Sequence, residues 1–146
     1  TAAVLPAVLA VAEDRGLSGR DALAAFCIGM EGCIRLGAAG KGGFHHTGFH
    51  ATGVLAHFSS TLAAGRLMGA TARDHVNAFG IAASTASGVQ VFLEEGAWTK
   101  RLHPGWAAAG GITAATLARH GRKLRPLFRP AHEQAALKRI VNSIAR

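Results

Sequence analysis

Apolar residues return at steps of three and four through much of this chain, as at Leu23, Phe26, Cys27, Met30 and Ile34, and again at Val54, Leu55, Phe58, Leu62 and Leu67. That period turns one face of a helix towards a core, whereas a strand needs alternation at every second residue. Composition agrees: Ala and Leu dominate, β-branched and aromatic residues are sparse, and Tyr is absent. The expected fold class is all-α, a compact bundle of about five to six helices. A chain of 146 residues suffices for one buried core.

The pattern predicts a first helix over 3–15, with Pro6 in its first turn and Gly16 closing it. Ser18, with Asp21 three residues on, caps a second helix running to about Leu36. Residues 37–48 read as a Gly-rich loop carrying His45 and His46, which could serve a lid. A third helix is expected over 51–68, ended by Gly69, and a fourth from the Thr71 cap to about Ser87. The small residues of 81–88 suit close helix approach. Residues 89–103 read as a loop with about one helical turn, and Pro104 as the first residue of a fifth helix reaching His120. Residues 1–121 thus form one helical domain. Residues 122–146 divide into a basic, Pro-containing linker and an amphipathic helix over 131–145 that places Leu137, Ile140, Val141 and Ile144 on one face.

The net charge of +8 raises nucleic acid as a partner. The distribution argues against it, because the basic groups gather from Lys100 onward without the interleaved aromatics of a stacking platform, and no helix-turn-helix, RRM or KH signature is present. Neither nucleic acid nor membrane is an expected partner, since charged residues interrupt every apolar run short of a span. Cys27 and Cys33, six apart on one predicted helix, fit no disulfide framework and no zinc or iron–sulfur spacing. They are expected to be buried free thiols in a reducing cytoplasm. No secretory leader pattern opens the sequence.

Chemistry concentrates before two predicted helix starts, Phe49-His50-Ala51-Thr52-Gly53 and Thr99-Lys100-Arg101-Leu102-His103-Pro104-Gly105. Unpaired N–H groups and partial positive charge at a helix N-terminus attract carboxylates and hold imidazole neutral, ready to act as a base. Two such sites on one cavity would bind a polycarboxylate and present a neutral His to its carbon acid. The plainer alternative is that His50 and His103 merely cap or face solvent, and that Lys100 is a surface charge. His57 is expected to be partly buried, and His75 and His120 to lie near helix ends. No metal is expected, because no His-x-x-x-His pair carries a zincin-like carboxylate pattern. Neither the Ser nor the Cys residues sit on a nucleophile elbow.

The strings Ala3-Val4-Leu5-Pro6-Ala7, Gly48 to Leu55, Gly80 to Gly88 and Trp98 to Ala108 resemble, in this order, segments of the MmgE/PrpD family. The resemblance covers about residues 1–121 and is most specific at Lys100-x-x-His103-x-Gly105. This family includes 2-methylcitrate dehydratase, cis-aconitate decarboxylase and an iminodisuccinate epimerase. Membership implies a homodimer with a large helical domain and a smaller α+β lid, a small polycarboxylate substrate, and no metal or organic cofactor. It implies active-site roles for His50 (acid/base or substrate contact) and for Lys100 and His103 (carboxylate binding), with Thr52 and Gly105 beside the substrate. An acidic, His-containing motif upstream and the lid have no counterpart here, so a fragment or a degenerate relative is expected; the faint echo at 123–132 carries no role to His132. The leading expectation is a dehydratase, decarboxylase or epimerase. The competing one is a noncatalytic helical dimerisation or interaction fragment.

Overall fold

The computed structural model describes residues 2–121. Among these it contains α1 (Val4–Asp14), α2 (Gly19–Gly40), α3 (Gly43–His46), α4 (Ala51–Leu67), α5 (Ala72–Thr85), α6 (Phe92–Glu95) and α7 (Thr99–His120). No strand occurs among them; a single antiparallel bridge joins Phe49 to Val89. The all-α expectation holds. The proposed linker and C-terminal helix of 122–146 lie outside the described residues.

The bundle is organised around α4, which packs against α7, α2, α1 and α5. Burial on so many sides would normally demand an apolar helix. Here Ser59, Ser60 and Thr61 are fully buried, because their hydroxyls are satisfied internally. Ser59 Oγ donates to the Leu55 carbonyl at 2.8 Å and Thr61 Oγ1 to the His57 carbonyl at 2.7 Å. Around this axis the core is built from small residues, with Ala25, Ala63, Ala64 and Ala115 joining Val4, Val8, Val11 and Leu67. Small side chains let the helix backbones approach closely; Phe79 and Leu62, backed by Phe58, fill the wider space beside α5.

Helix starts follow local chemistry. Ser18 accepts from the Asp21 amide while the Asp21 carboxylate accepts from Ser18, and Thr71 and Asp74 repeat the arrangement for α5. These hydrogen bonds hold both carboxyls below their usual range, with the bond from the cap hydroxyl the largest cause in each. Gly69, at φ +71°, ends α4 in the left-handed region that glycine adopts without penalty.

The structure corrects several expectations. Helix α2 continues through Gly37 to Gly40, because its glycines face α4: a Cβ on Gly29 would meet the Ser59 carbonyl at 3.0 Å, and one on Gly37 would rest 3.5 Å from Leu55. Packing overrides glycine's low helix propensity. The presumed loop therefore shrinks to a turn, α3 and a second turn. Helix α7 begins at Thr99, so Pro104 lies inside it and not at its first position. The close-approach segment holds only in part. Of residues 81–88 half are exposed, and the close approach expected there is confined to its end, where a Cβ on Gly53 would stand 2.7 Å from the Ser87 carbonyl; further tight contacts fall at Gly29, Gly110 and Gly111.

Cys27 is exposed and Cys33 partly so; neither is the buried thiol expected. By length and composition α2 also passes as a membrane span, with a mean hydropathy of 1.4 over 18 residues of which 17% are buried. Charged residues still interrupt its apolar run, as the sequence reading held. Two charged residues in it, Glu31 and Arg35, pair at 2.7 Å.

Candidate active site

His50 is the N-cap of α4, in extended geometry at φ −78° and ψ 101°. Its position is fixed by a short antiparallel clasp between 48–50 and 88–90. The His50 amide donates to the Gly88 carbonyl and the Gln90 amide to the Gly48 carbonyl, each at 2.9 Å. The clasp depends on Gly88, whose φ of +128° is poorly tolerated by other residues and where a Cβ would press on the His103 ring at 3.3 Å.

His103 comes from the second turn of α7, and its Nδ1 meets His50 Nδ1 at 2.9 Å. The ring centroids are 5.1 Å apart. One ring must donate and the other accept, since two bare or two protonated nitrogens would repel at that distance. Phe92, on α6 and nearly buried, closes the other side: it stands edge-on to His50 at 5.0 Å and to His103 at 5.6 Å between centroids. Lys100 Nζ lies 5.9 Å from the Phe92 centroid, which draws its ammonium to the same cluster. Beside it Arg101 covers the Trp98 ring at 4.3 Å. A groove of roughly 370 Å³ runs along Phe92, Gly96, Trp98, Lys100 and Arg101.

His50 is buried, and burial is the main reason its pKa is lowered; the nearby His103, Lys100 and, more weakly, His45 act in the same direction. It is therefore a neutral imidazole at pH 7. The buried polar side-chain atoms without a partner among the described residues belong to His57 and His75. Nε2 of His50 and of His103 is not among them, and no hydrogen bond engages either among the described residues. The pair thus offers two free imidazole faces beside a lysine, at the point where the N-terminal regions of α4 and α7 converge.

Three of the residues singled out in the sequence, His50, Lys100 and His103, are thus gathered in one cluster. The helix-start argument holds for His50, but Lys100 and His103 lie within the first two turns of α7 and not ahead of it. Thr52 and Gly105 are exposed, and among the described residues no contact joins either to the imidazoles. His45 makes a short contact with Gln90, which ties α3 to the clasp. Sequence reasoning missed Phe92, which read as part of an irregular segment, and Gly88, which read as one of many small residues. It also missed the full burial of His57, whose ring lies against Gly110 on the seam of α4 and α7. No group of three or more His, Cys, Asp or Glu that could hold a metal ion is gathered among the described residues.

Together these features define an all-helical domain with paired imidazoles at converging helix starts. The profile of the MmgE/PrpD N-terminal domain matches residues 1–123, and the chain belongs to that family. Cis-aconitate decarboxylase of Aspergillus terreus is 34% identical over 124 residues, covering 81% of this chain and 25% of that protein. A cis-aconitate decarboxylase-like protein, oryM, of Aspergillus oryzae is 33% identical over 126 residues, covering 81% of this chain and 26% of its own length. The chain thus spans about a quarter of the length of these relatives. No solved structure matches significantly.

Proposed function

We propose that this chain contributes the acid–base and carboxylate-binding site of a lyase or epimerase acting on a small citrate-like polycarboxylate. The observation that carries the reading is the hydrogen-bonded His50–His103 pair beside Lys100. A substrate carboxylate would be held by the Lys100 ammonium and the unpaired N–H groups of the first turns of α4 and α7. The neutral His50 imidazole would take a proton from the adjacent carbon or return one to it. Dehydration, decarboxylation and epimerisation all pass through such a carbon acid. The decarboxylase names of the relatives favour the middle option, in which loss of carbon dioxide leaves a carbanion that takes a proton from an imidazole N–H of the pair, which solvent then restores.

A second reading is favoured by a specific observation. Leu93, Trp98, Leu102 and Trp106 are all more than half exposed around α6 and the start of α7, and large apolar side chains gathered on a surface mark interaction sites. In this reading the chain works as a helical interaction module, with homodimerisation the first case to examine.

Titration calorimetry with citrate, 2-methylcitrate and cis-aconitate, alongside a Lys100→Ala/His103→Ala variant, separates the two. Binding that the variant abolishes supports the polycarboxylate site. A folded chain that binds none of the three and sediments as a dimer supports the interaction module.

A further inference from the structure

We propose that His50 and His103 share a single proton along their Nδ1–Nδ1 line, so that their two Nε2 atoms are always of opposite kind, one a bare base and the other an N–H donor. Three observations carry this. The Nδ1 atoms are 2.9 Å apart, a hydrogen-bond distance that requires one donor and one acceptor. Neither Nδ1 has another hydrogen-bond partner among the described residues, and neither Nε2 is engaged, so nothing else fixes either tautomer. The rings are also held against sliding, His50 by the clasp to Gly88 and both by the edge of Phe92.

The consequence deepens the proposed function and rests on it: the pair is an exchangeable acid–base couple, with no fixed base and no fixed acid. In a dehydration, the bare Nε2 of the first ring takes a proton from the carbon beside a carboxylate. That ring's Nδ1 proton crosses to the second Nδ1, and the second ring gives its Nε2 proton to the departing hydroxyl, which leaves as water. The C–H electron pair becomes the new double bond. One proton enters the pair and one leaves it; the pair is neutral before and after, with its tautomers exchanged. Solvent exchange at the two Nε2 atoms resets it. His103 is therefore assigned a proton-transfer role in addition to carboxylate binding.

The test is a long-range ¹H–¹⁵N correlation spectrum of histidine-labelled full chain, with the eight His rings assigned through the backbone, recorded above the pH at which His50 protonates. The expected result is complementary tautomer populations, the fraction of protonated Nδ1 on one ring matching the fraction of protonated Nε2 on the other. In His103→Ala, the His50 Nδ1 resonance then shifts, because its tautomer is no longer set by a partner. The same tautomer predominating on both wild-type rings, or a His50 spectrum unmoved by His103→Ala, overturns the proposal; if the variant does not fold, the wild-type spectrum alone decides. Calorimetry with cis-aconitate keeps the two claims apart. Complementary tautomers without binding sink the proposed function and leave the pair standing, whereas binding with one tautomer predominating on both rings does the reverse.

Discussion

Gly111 of α7 lies so close to Ser60 of α4 that a methyl group on it would stand 2.5 Å from Ser60 Cβ and 2.7 Å from the Thr61 amide nitrogen. One turn away in α4, the His57 ring occupies the space a Cβ on Gly110 would need, at 2.2 Å from Nε2. The seam that carries His50 and His103 at its open end is thus closed lower down by paired glycines meeting a serine and a histidine. Backbone spacing along it sets how far apart the two catalytic candidates stand.

Gly111→Ala is expected to destabilise the fold by about 1–3 kcal/mol, because the obstructing atoms include backbone that cannot swing aside. The gain in helix propensity offsets only part of this. Gly80→Ala, on α5 with nothing within 4 Å of the added methyl, is expected to stabilise by about 0.5–1 kcal/mol. Urea denaturation of both variants checks the pair. Equal effects would mean the seam is looser than the distances state.

His57 supplies a pH dependence. Its ring is fully buried and neither nitrogen has a hydrogen-bond partner within bonding distance among the described residues; burial lowers its pKa, with the Gly53 backbone one turn before it opposing in part. His75, on α5 against Gly65, is lowered chiefly by burial too, although the neighbouring Asp74 carboxylate works to raise it. The unfolded chain therefore binds these protons more readily than the folded one. Stability is full above the ordinary value of 6.5 and is lost as pH falls from there through the folded-state pKa. His57→Leu is expected to flatten this loss while changing stability at pH 7.5 by no more than about 1 kcal/mol, since it removes an unsatisfied polar group along with the ring. Thermal melts between pH 7.5 and 5 read the slope, and a slope unchanged by the substitution would assign the acid sensitivity to other groups.

How much of this was legible in the sequence depended on range. Helix starts were readable because Ser18 with Asp21 and Thr71 with Asp74 are contiguous signals whose hydrogen bonds close within four residues. The α2 terminus and the α7 start were not. Glycines at 29, 32 and 37 signal breaks to a local reader, yet each faces a residue of α4 that is distant in sequence. Pro104 looked like a first-turn proline, but one more turn of helix precedes it, formed by Thr99 to His103. Within the site, His50, Lys100 and His103 stood out by residue type and by resemblance. Phe92, which stands edge-on to both imidazoles, had no local pattern, because its contacts span α4, α6 and α7.

Lys100→Met tests the electrostatics of the site. Lys100 is one of the positive neighbours that lower the His50 pKa, after burial and His103. Removing the charge favours the protonated form, so the His50 pKa is expected to rise in the variant while His75, whose charged neighbours are Asp74 and Arg66, stays where it is. An NMR titration of the His ring protons measures both. Because Lys100 is exposed, the fold should lose less than about 1 kcal/mol. Any loss of polycarboxylate affinity would then belong to the charge and not to unfolding. A His50 pKa that does not move would place the ammonium farther from the ring in solution than its 5.9 Å contact with Phe92 implies.

Phe92→Ala should uncouple the two imidazoles from their support. The ring is 6% exposed and meets His50 at 72° and His103 at 68°, edge-on geometries that suit the quadrupole of an aromatic ring. Truncation to Ala is expected to cost about 3 kcal/mol through the cavity left behind. Phe92→Leu, which keeps most of the volume, should cost less than about 1.5 kcal/mol. The informative comparison is at the site. Leu restores an apolar wall but no aromatic edge, so a Leu variant that melts near the wild type yet binds cis-aconitate more weakly would assign Phe92 a positioning role. Binding that falls only in proportion to stability would reduce it to filler. Thermal melts and calorimetry on the same two variants decide between them, because the two roles predict the same order of stabilities and different orders of affinity.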